Sequence, residues 1–187
     1  MARLTHDAIM KTFSEMLQEM PFDKVTVSEL VRRCNISPNT FYYHYRDKYD
    51  LLNGWFNEGL ERFISGNTDT DWSEIVKNIL HLCKKHEIVT YHICNSLSRE
   101  IVERFAFQQS DGIVEIKLDE IVREKNLLIP QEKKAAIANA CRFMLLGFFI
   151  HFIWNKMTDD IDTSVDHVCG MLEVLLENEL DKYSDRS

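Results

Sequence analysis

The sequence predicts an all-α fold: an N-terminal three-helix domain built around a helix-turn-helix, joined by a continuous helix to a larger helical body. Apolar residues recur at helical spacing along almost the whole chain. Only six glycines and three prolines interrupt 187 residues, and no Gly-rich or Ser-rich linker exists, so two domains must be joined by helix. The length suffices for a sizeable core, as one compact unit or as a small domain fused to a larger one.

The first helix is expected from about Thr5 to Met20, with Ile9, Phe13, Met16, Leu17 and Met20 on one face and Pro21 as its stop. Phe22 and Val25 anchor the connection that follows. Thr26 is a good N-cap, and Glu29 stands where it can reach back to it, so a second helix begins at Val27 with Leu30, Val31 and Cys34 inward. Asn35 ends it, because asparagine tolerates the left-handed conformation of a tight turn, and Ile36 plugs the corner. Ser37 caps a third helix with Pro38 at its first position, where a missing N–H costs nothing. Phe41 and Tyr45, four apart, form its inner face; Asn39, Thr40, Tyr42, Tyr43 and His44 point elsewhere. Asp47 caps the fourth helix. Lys48 then lies in the first turn, a position unfavourable for a cation unless it meets an anion.

That fourth helix continues without a breaker through Leu51, Leu52, Trp55, Phe56, Leu60, Phe63 and Ile64. It is expected to link the N-terminal domain to the C-terminal core. Gly54 and Gly59 either weaken it or allow close packing. Residues 65 to 70 read as a loop, and Asp71 with Glu74 caps a helix from Trp72 to about Lys85. Another runs from about Glu87 to Leu97. Ser98 caps the next, whose pattern is interrupted at Ser110, Asp111 and Gly112 by a kink or a loop. Pro130 opens a helix, apolar nearly all round, that reaches Trp154 and must be covered on more than one side. The last helix, about Thr163 to Tyr183, sets Val165, Val168, Leu172, Leu175 and Leu176 against Glu173, Glu177 and Glu179.

Two helices joined by a three-residue turn, with a short polar second helix, are a helix-turn-helix suited to the DNA major groove. By side-chain chemistry, Ser37, Asn39 and Thr40 can reach base edges or phosphates, and Pro38 a thymine methyl. Tyr42, His44 and Lys48 suit phosphates, as do Thr26 and Ser28 at the start of the second helix; Tyr43 suits either. Thr26 and Ser37 can equally do no more than cap. There is no long basic arm, so a minor-groove contact could come only from residues around Arg3.

The net charge of -8 at first argues against nucleic acid, but its distribution does not. Residues 1 to 50 carry seven basic and seven acidic side chains, leaving the whole excess on residues 51 to 187. Residues 30 to 48 hold Arg32, Arg33, Arg46 and Lys48 against Asp47 alone, a local +3.

Met1 to Leu4 shows no secretory signal. The most apolar run, Phe143 to Trp154, spans 12 residues, whereas a membrane span needs about 20; a soluble, cytoplasmic protein with no membrane partner is expected. Five scattered cysteines suit reduced thiols better than disulfides. His81, Cys83, His86, His92 and Cys94 fall close together but match no closed zinc pattern, so no metal and no cofactor is expected. No nucleophile elbow, phosphate loop or zinc-protease motif is present. His151 reads as a core histidine, and no enzymatic activity is expected. The aromatics Trp55, Phe56, Phe63, Trp72, Tyr91, Phe105, Phe107, Phe148 and Trp154 serve the core or line a cavity.

The segment Thr26-Val27, Asn35-Ile36-Ser37, Thr40-Phe41-Tyr42-Tyr43-His44-Tyr45, Lys48, Asp50, Leu51 and Leu52 closely resembles the DNA-binding domain of the TetR family of bacterial transcriptional regulators, over roughly the first 52 residues. Cys34 and Asn35 stand where that family usually has alanine and glycine. The resemblance implies a helix-turn-helix DNA-binding domain at 1–48 and a helical effector-binding and dimerisation domain at 49–187. It also implies a homodimer through the last two helices, a double-stranded DNA operator, a possible small-molecule effector and ligand-responsive repression. The effector-binding residues remain unknown. Gly147 followed by Trp154 in the penultimate helix loosely resembles the dihydroxyacetone-kinase operon activators of the same family, which implies the alternative of a co-regulator acting through a partner protein.

Overall fold

A computed structural model describes residues 2–64 and 71–183 of the chain. The described residues form helices and no strand. In order they are α1 Ala2–Glu19, a 3-10 turn Phe22–Lys24, α2 Val27–Cys34, α3 Pro38–His44 and α4 Lys48–Ile64. There follow α5 Trp72–Lys85, α6 Glu87–Cys94, α7 Arg99–Gln109, α8 Asp111–Glu124, α9 Gln131–Trp154 and α10 Ile161–Asp181. The loop expected at 65 to 70 lies outside the described residues.

The chain divides into two compact units. The first holds α1 to α4 together with α6; the second holds α5 and α7 to α10. This packing boundary differs from a division after residue 48. The described part of α4 stays with the helix-turn-helix, and α6 returns to it.

In the first unit, Ile9, Phe13, Met16 and Leu17 of α1 are fully buried, and Phe22, Leu30, Phe41 and Leu51 close over them from the turn, α2, α3 and α4. Val89 and Ile93 of α6 complete this core. Polar contacts hold α6 there: His92 Nδ1 lies 2.7 Å from the Leu17 carbonyl, and Ser96 Oγ donates to Asp23 Oδ1 at 3.2 Å. α6 ends earlier than expected, at Cys94, and the backbone N–H of Ser96 and Leu97 both turn back to the Ile93 carbonyl. Trp55 packs edge-on to Phe13 and donates its indole N–H to Ser14 at 2.6 Å.

Gly54 and Gly59 turn out to serve different ends. A Cβ at Gly54 would sit 3.1 Å from Cε1 of Tyr45, so the missing side chain is the space that the Tyr45 ring occupies. A Cβ at Gly59 would meet nothing within 4 Å.

In the second unit, Trp72, 1 % exposed, caps the core from α5 and donates its indole N–H to Glu173 of α10 at 2.9 Å. Lys77 bridges Glu74 and Asp166, both at 2.7 Å, which ties α5 to α10. The interruption between α7 and α8 is a kink of one residue, Ser110, whose hydroxyl donates to the Phe107 carbonyl at 2.8 Å. The same carbonyl accepts from Arg142 Nη2 at 2.8 Å, and the guanidinium lies 4.0 Å from the Phe107 ring centre. A cation is thereby buried on α9, which spacing alone marked as apolar. α10 begins at Ile161, earlier than expected, because Asp160 is its cap and accepts from the Thr163 N–H at 2.8 Å.

α9 is not wholly covered within the unit. Phe143 and Trp154 are each 62 % exposed, and on α10 Met171, Val174 and Leu175 are exposed as well. His151, expected in the core, is exposed, and its Nδ1 lies 3.8 Å from Asp159. Gln131–Trp154 is long and apolar enough, with a mean hydropathy of 1.7 over its best window, to satisfy the length and composition of a membrane span. The expectation built on a 12-residue run therefore understated this helix, which packs against α7, α8 and α10.

Gly54→Val should destabilise the chain by about 1–3 kcal/mol, since it forces Tyr45 from its site, whereas Gly59→Ala should stabilise it by up to about 1 kcal/mol. Denaturant melts check both. Burial pushes the Cys141 thiol up to about 11 and the Cys169 thiol up to about 12. Both folded values lie above the unfolded one, so their contribution is complete below about pH 9 and declines as pH rises through the folded values. Stability measured from pH 8 to 11 should fall, and fall less in Cys169→Ala.

Candidate nucleic-acid interface

The helix-turn-helix is built by local chemistry that its residue types specify. Thr26 caps α2, its Oγ1 accepting from the Glu29 N–H at 3.2 Å. The reciprocal half of the expected box does not form. The Glu29 carboxylate instead takes Arg32 at 2.7 and 2.8 Å and Arg33 at 2.8 Å. Asn35 closes α2 in the left-handed region, φ 53 and ψ 46. The N–H of Ile36 then returns to the Val31 carbonyl at 3.1 Å, the hydrogen bond typical of a left-handed helix end.

Ser37 caps α3, accepting from the Thr40 N–H at 3.1 Å, with the two hydroxyls 2.8 Å apart. Phe41 is fully buried, and Tyr45, just past the helix in extended conformation, is 8 % exposed. The Tyr45 hydroxyl donates to the Met10 sulfur at 3.5 Å, and burial raises its pKa to about 12. The opposite face is open. Tyr43 is 80 % and Tyr42 57 % exposed, with Ser37, Pro38 and Asn39 exposed beside them and Thr40 half-buried. Thr26 and Ser28 are exposed at the start of α2. His44 is half-buried, its ring 6.1 Å from that of His6, which in turn lies 2.9 Å from Glu58.

Lys48 does not share that open surface. Its ammonium donates to the carbonyls of Phe22, Asp23 and Val25 at 3.1, 3.2 and 3.0 Å and sits 4.7 Å from the centre of the Phe22 ring. The expected phosphate-facing posture is replaced by an inward one, because carbonyls supply the negative partner that its place at a helix start requires. Asp47 caps α4 as expected, accepting from the N–H groups of Tyr49 and Asp50 at 2.8 and 2.9 Å.

The local +3 is also largely paired. Arg32 and Arg33 share Glu29, Arg33 reaches Glu19 at 2.7 Å, and Arg46 reaches Asp50 at 3.1 Å. Glu29 is held at about 2 by hydrogen bonds from Arg32 and Arg33, and Arg46 lowers Asp50. These pairs lie at the surface, where solvent screens them, so the arginines can exchange carboxylate for phosphate at little cost. Arg46, 86 % exposed between α3 and α4, is a basic side chain that reading by motif passed over. Arg3 lies inside α1 rather than on a separate arm.

The other candidates separate. His81 Nε2 lies 3.0 Å from Asp162, while His92 bonds the Leu17 carbonyl. Among the described residues no group of three or more His, Cys, Asp or Glu gathers as a metal site. A cleft of about 370 Å³ opens in the first unit beside Asp23, Tyr91, His92, Asn95 and Ser96. Of the aromatics, Tyr91 alone lines it.

Residues 9–54 match the family of bacterial regulatory proteins, tetR family. No curated protein matches. Among solved structures, the dihydroxyacetone kinase operon activator DhaS aligns with a TM-score of 0.66 at 16% identity, over 92% of this chain and 96% of its own. NalD of Pseudomonas aeruginosa, the secondary repressor of the MexAB-OprM multidrug efflux pump, aligns with a TM-score of 0.56 at 15% identity, over 92% and 96%. These structural likenesses show a shared fold. The family's match lies on the helix-turn-helix whose outward face was just described: it is this segment, residues 9–54, that is similar to the tetR family of bacterial regulatory proteins.

Proposed function

We propose that the protein is a homodimeric repressor that binds a two-half-site operator and changes affinity when its second unit takes up an effector. The observation that carries the DNA-binding part is the outward face of α3, where Tyr42 and Tyr43 are exposed while Phe41 is fully buried behind them. Ser37, Asn39, Thr40 and Tyr43 are assigned to base edges or phosphates, and Pro38 to a thymine methyl. Tyr42 and His44 take phosphates, joined by Thr26 and Ser28 at the start of α2.

The dimer rests on the apolar surface left on α9 and α10, where Phe143, Trp154, Met171, Val174 and Leu175 are exposed. Two helices of this kind meeting their symmetry mates make a four-helix contact. Such a dimer sets two recognition helices about one DNA turn apart, roughly 34 Å. An effector regulates by binding one spacing better than another, since equal binding shifts nothing. A cytoplasmic location follows from a DNA partner. The solved likenesses include one activator and one repressor by name; a reporter placed behind the operator and silenced by this chain alone tests repression without a partner protein.

A duplex selected from a random-sequence pool by the full chain supplies the probe. Tyr42→Ala should weaken its binding roughly ten- to hundredfold, the worth of one hydrogen bond to a charged group. An unchanged affinity removes Tyr42 from the interface, and failure of the wild type to enrich any duplex rejects the reading. Val174→Glu combined with Leu175→Glu should convert a dimer to a monomer in sedimentation and abolish tight binding; a dimer that survives both places the contact elsewhere.

A further inference from the structure

An ammonium has three donors and no acceptor, and Lys48 directs all of them into one short stretch of backbone. The carbonyls of Phe22, Asp23 and Val25 belong to the 3-10 turn and its cap, where the chain changes direction; that of Phe22 also accepts the Val25 N–H at 3.1 Å. The Phe22 ring, itself 1 % exposed, lies under the charge. Val25 immediately precedes Thr26, the cap of α2, while Lys48 opens α4, four residues after α3 ends. One side chain therefore ties the entry of the helix-turn-helix to its exit and closes a ring of backbone with α2, the turn and α3 inside it.

Resting on the DNA-binding reading, we propose that Lys48 is a positioning residue for recognition helix α3, holding both ends of the helix-turn-helix at a fixed separation, and that it is not a phosphate contact. Its charge is directed at carbonyls, and reaching DNA would take the ammonium from the Asp23 and Val25 oxygens, while that of Phe22 would keep the Val25 N–H. Burial lowers the Lys48 pKa, against the opposing pull of Asp23, which agrees with an inward ammonium. The three assignments open to this residue predict different behaviour. A phosphate contact adds affinity uniformly over sequences and adds about 0.9 to the salt dependence of binding. A merely stabilising residue changes the folded fraction and nothing else. A positioning residue changes how well the chain tells one sequence from another.

The test compares wild type with Lys48→Met in the full chain, on the selected duplex and on a scrambled duplex of the same composition, over a series of salt concentrations. The selected-over-scrambled affinity ratio should fall at least about tenfold, the loss of one good base contact, while the slope of log affinity against log salt stays that of wild type. A slope smaller by about 0.9 with the ratio preserved overturns the proposal in favour of a phosphate contact, and a ratio preserved with only the folded fraction reduced overturns it in favour of simple stabilisation. Should Lys48→Met not fold, amine acetylation of wild type decides. Lys48 should be protected relative to the exposed Lys11 and Lys24 in free protein, with no further protection on DNA. Protection gained only on DNA overturns the proposal. If the wild type selects no duplex, the DNA-binding reading fails on its own, and protection in free protein still tests the clamp.

Discussion

A recognition helix of seven residues cannot hold itself in water; a helix that short lacks the hydrogen bonds to offset its nucleation cost. It persists here because Phe41 is sunk completely into the face of α1 and Tyr45 is packed against Met10 and the gap left by Gly54. Every statement about DNA depends on that anchorage. With two aromatic side chains committed inward, the intervening positions have no choice but to face out, and they are the polar and aromatic hydrogen-bonders. Loss of the Phe41 ring would cost about 3–5 kcal/mol, a large part of the margin of any small domain.

The electrostatics of the same surface work by exchange rather than by excess charge. The arginines that make residues 30–48 basic are partnered by Glu19, Glu29 and Asp50, which lie outside that window. In free protein the surface is close to neutral in its pairs, and the acidic remainder of the chain disfavours unspecific attraction. A phosphate backbone can displace exposed carboxylates from these guanidiniums where a bidentate fit is available. On the DNA-binding function proposed above, selectivity rests on geometry and so on how rigidly α3 is carried.

Beyond the interface, the chain passes between the two units more than once. α5 belongs to the second unit and α6 to the first, with His86 alone between them. α6 is gripped by Val89 and Ile93 in the core and by His92 and Ser96 at its polar edge. The link expected of α4 is thus accompanied by two further crossings of the chain, at His86 and after Ser98.

The start of α2, its left-handed end at Asn35, the start of α3 and the inward pair Phe41 and Tyr45 were legible from residue types and spacing alone, whereas the end of α3 at His44 was not. Caps, proline at a first turn and the conformational tolerance of asparagine act within four residues of chain. The cap Asp160 before α10 was missed and the kink at Ser110 left open, because a single polar residue in a helical pattern has several meanings. The sequence by itself therefore determined the all-helical class and the presence and outward chemistry of the helix-turn-helix. Only the tertiary structure decided that Lys48 turns inward, that Arg142 is buried on an apolar helix and that α6 returns to the first unit. Those outcomes hang on partners 23 to 26 residues away for Lys48, 35 for Arg142 and 75 for His92, and a side chain's partner at such range is set by how helices pack, which no local pattern encodes.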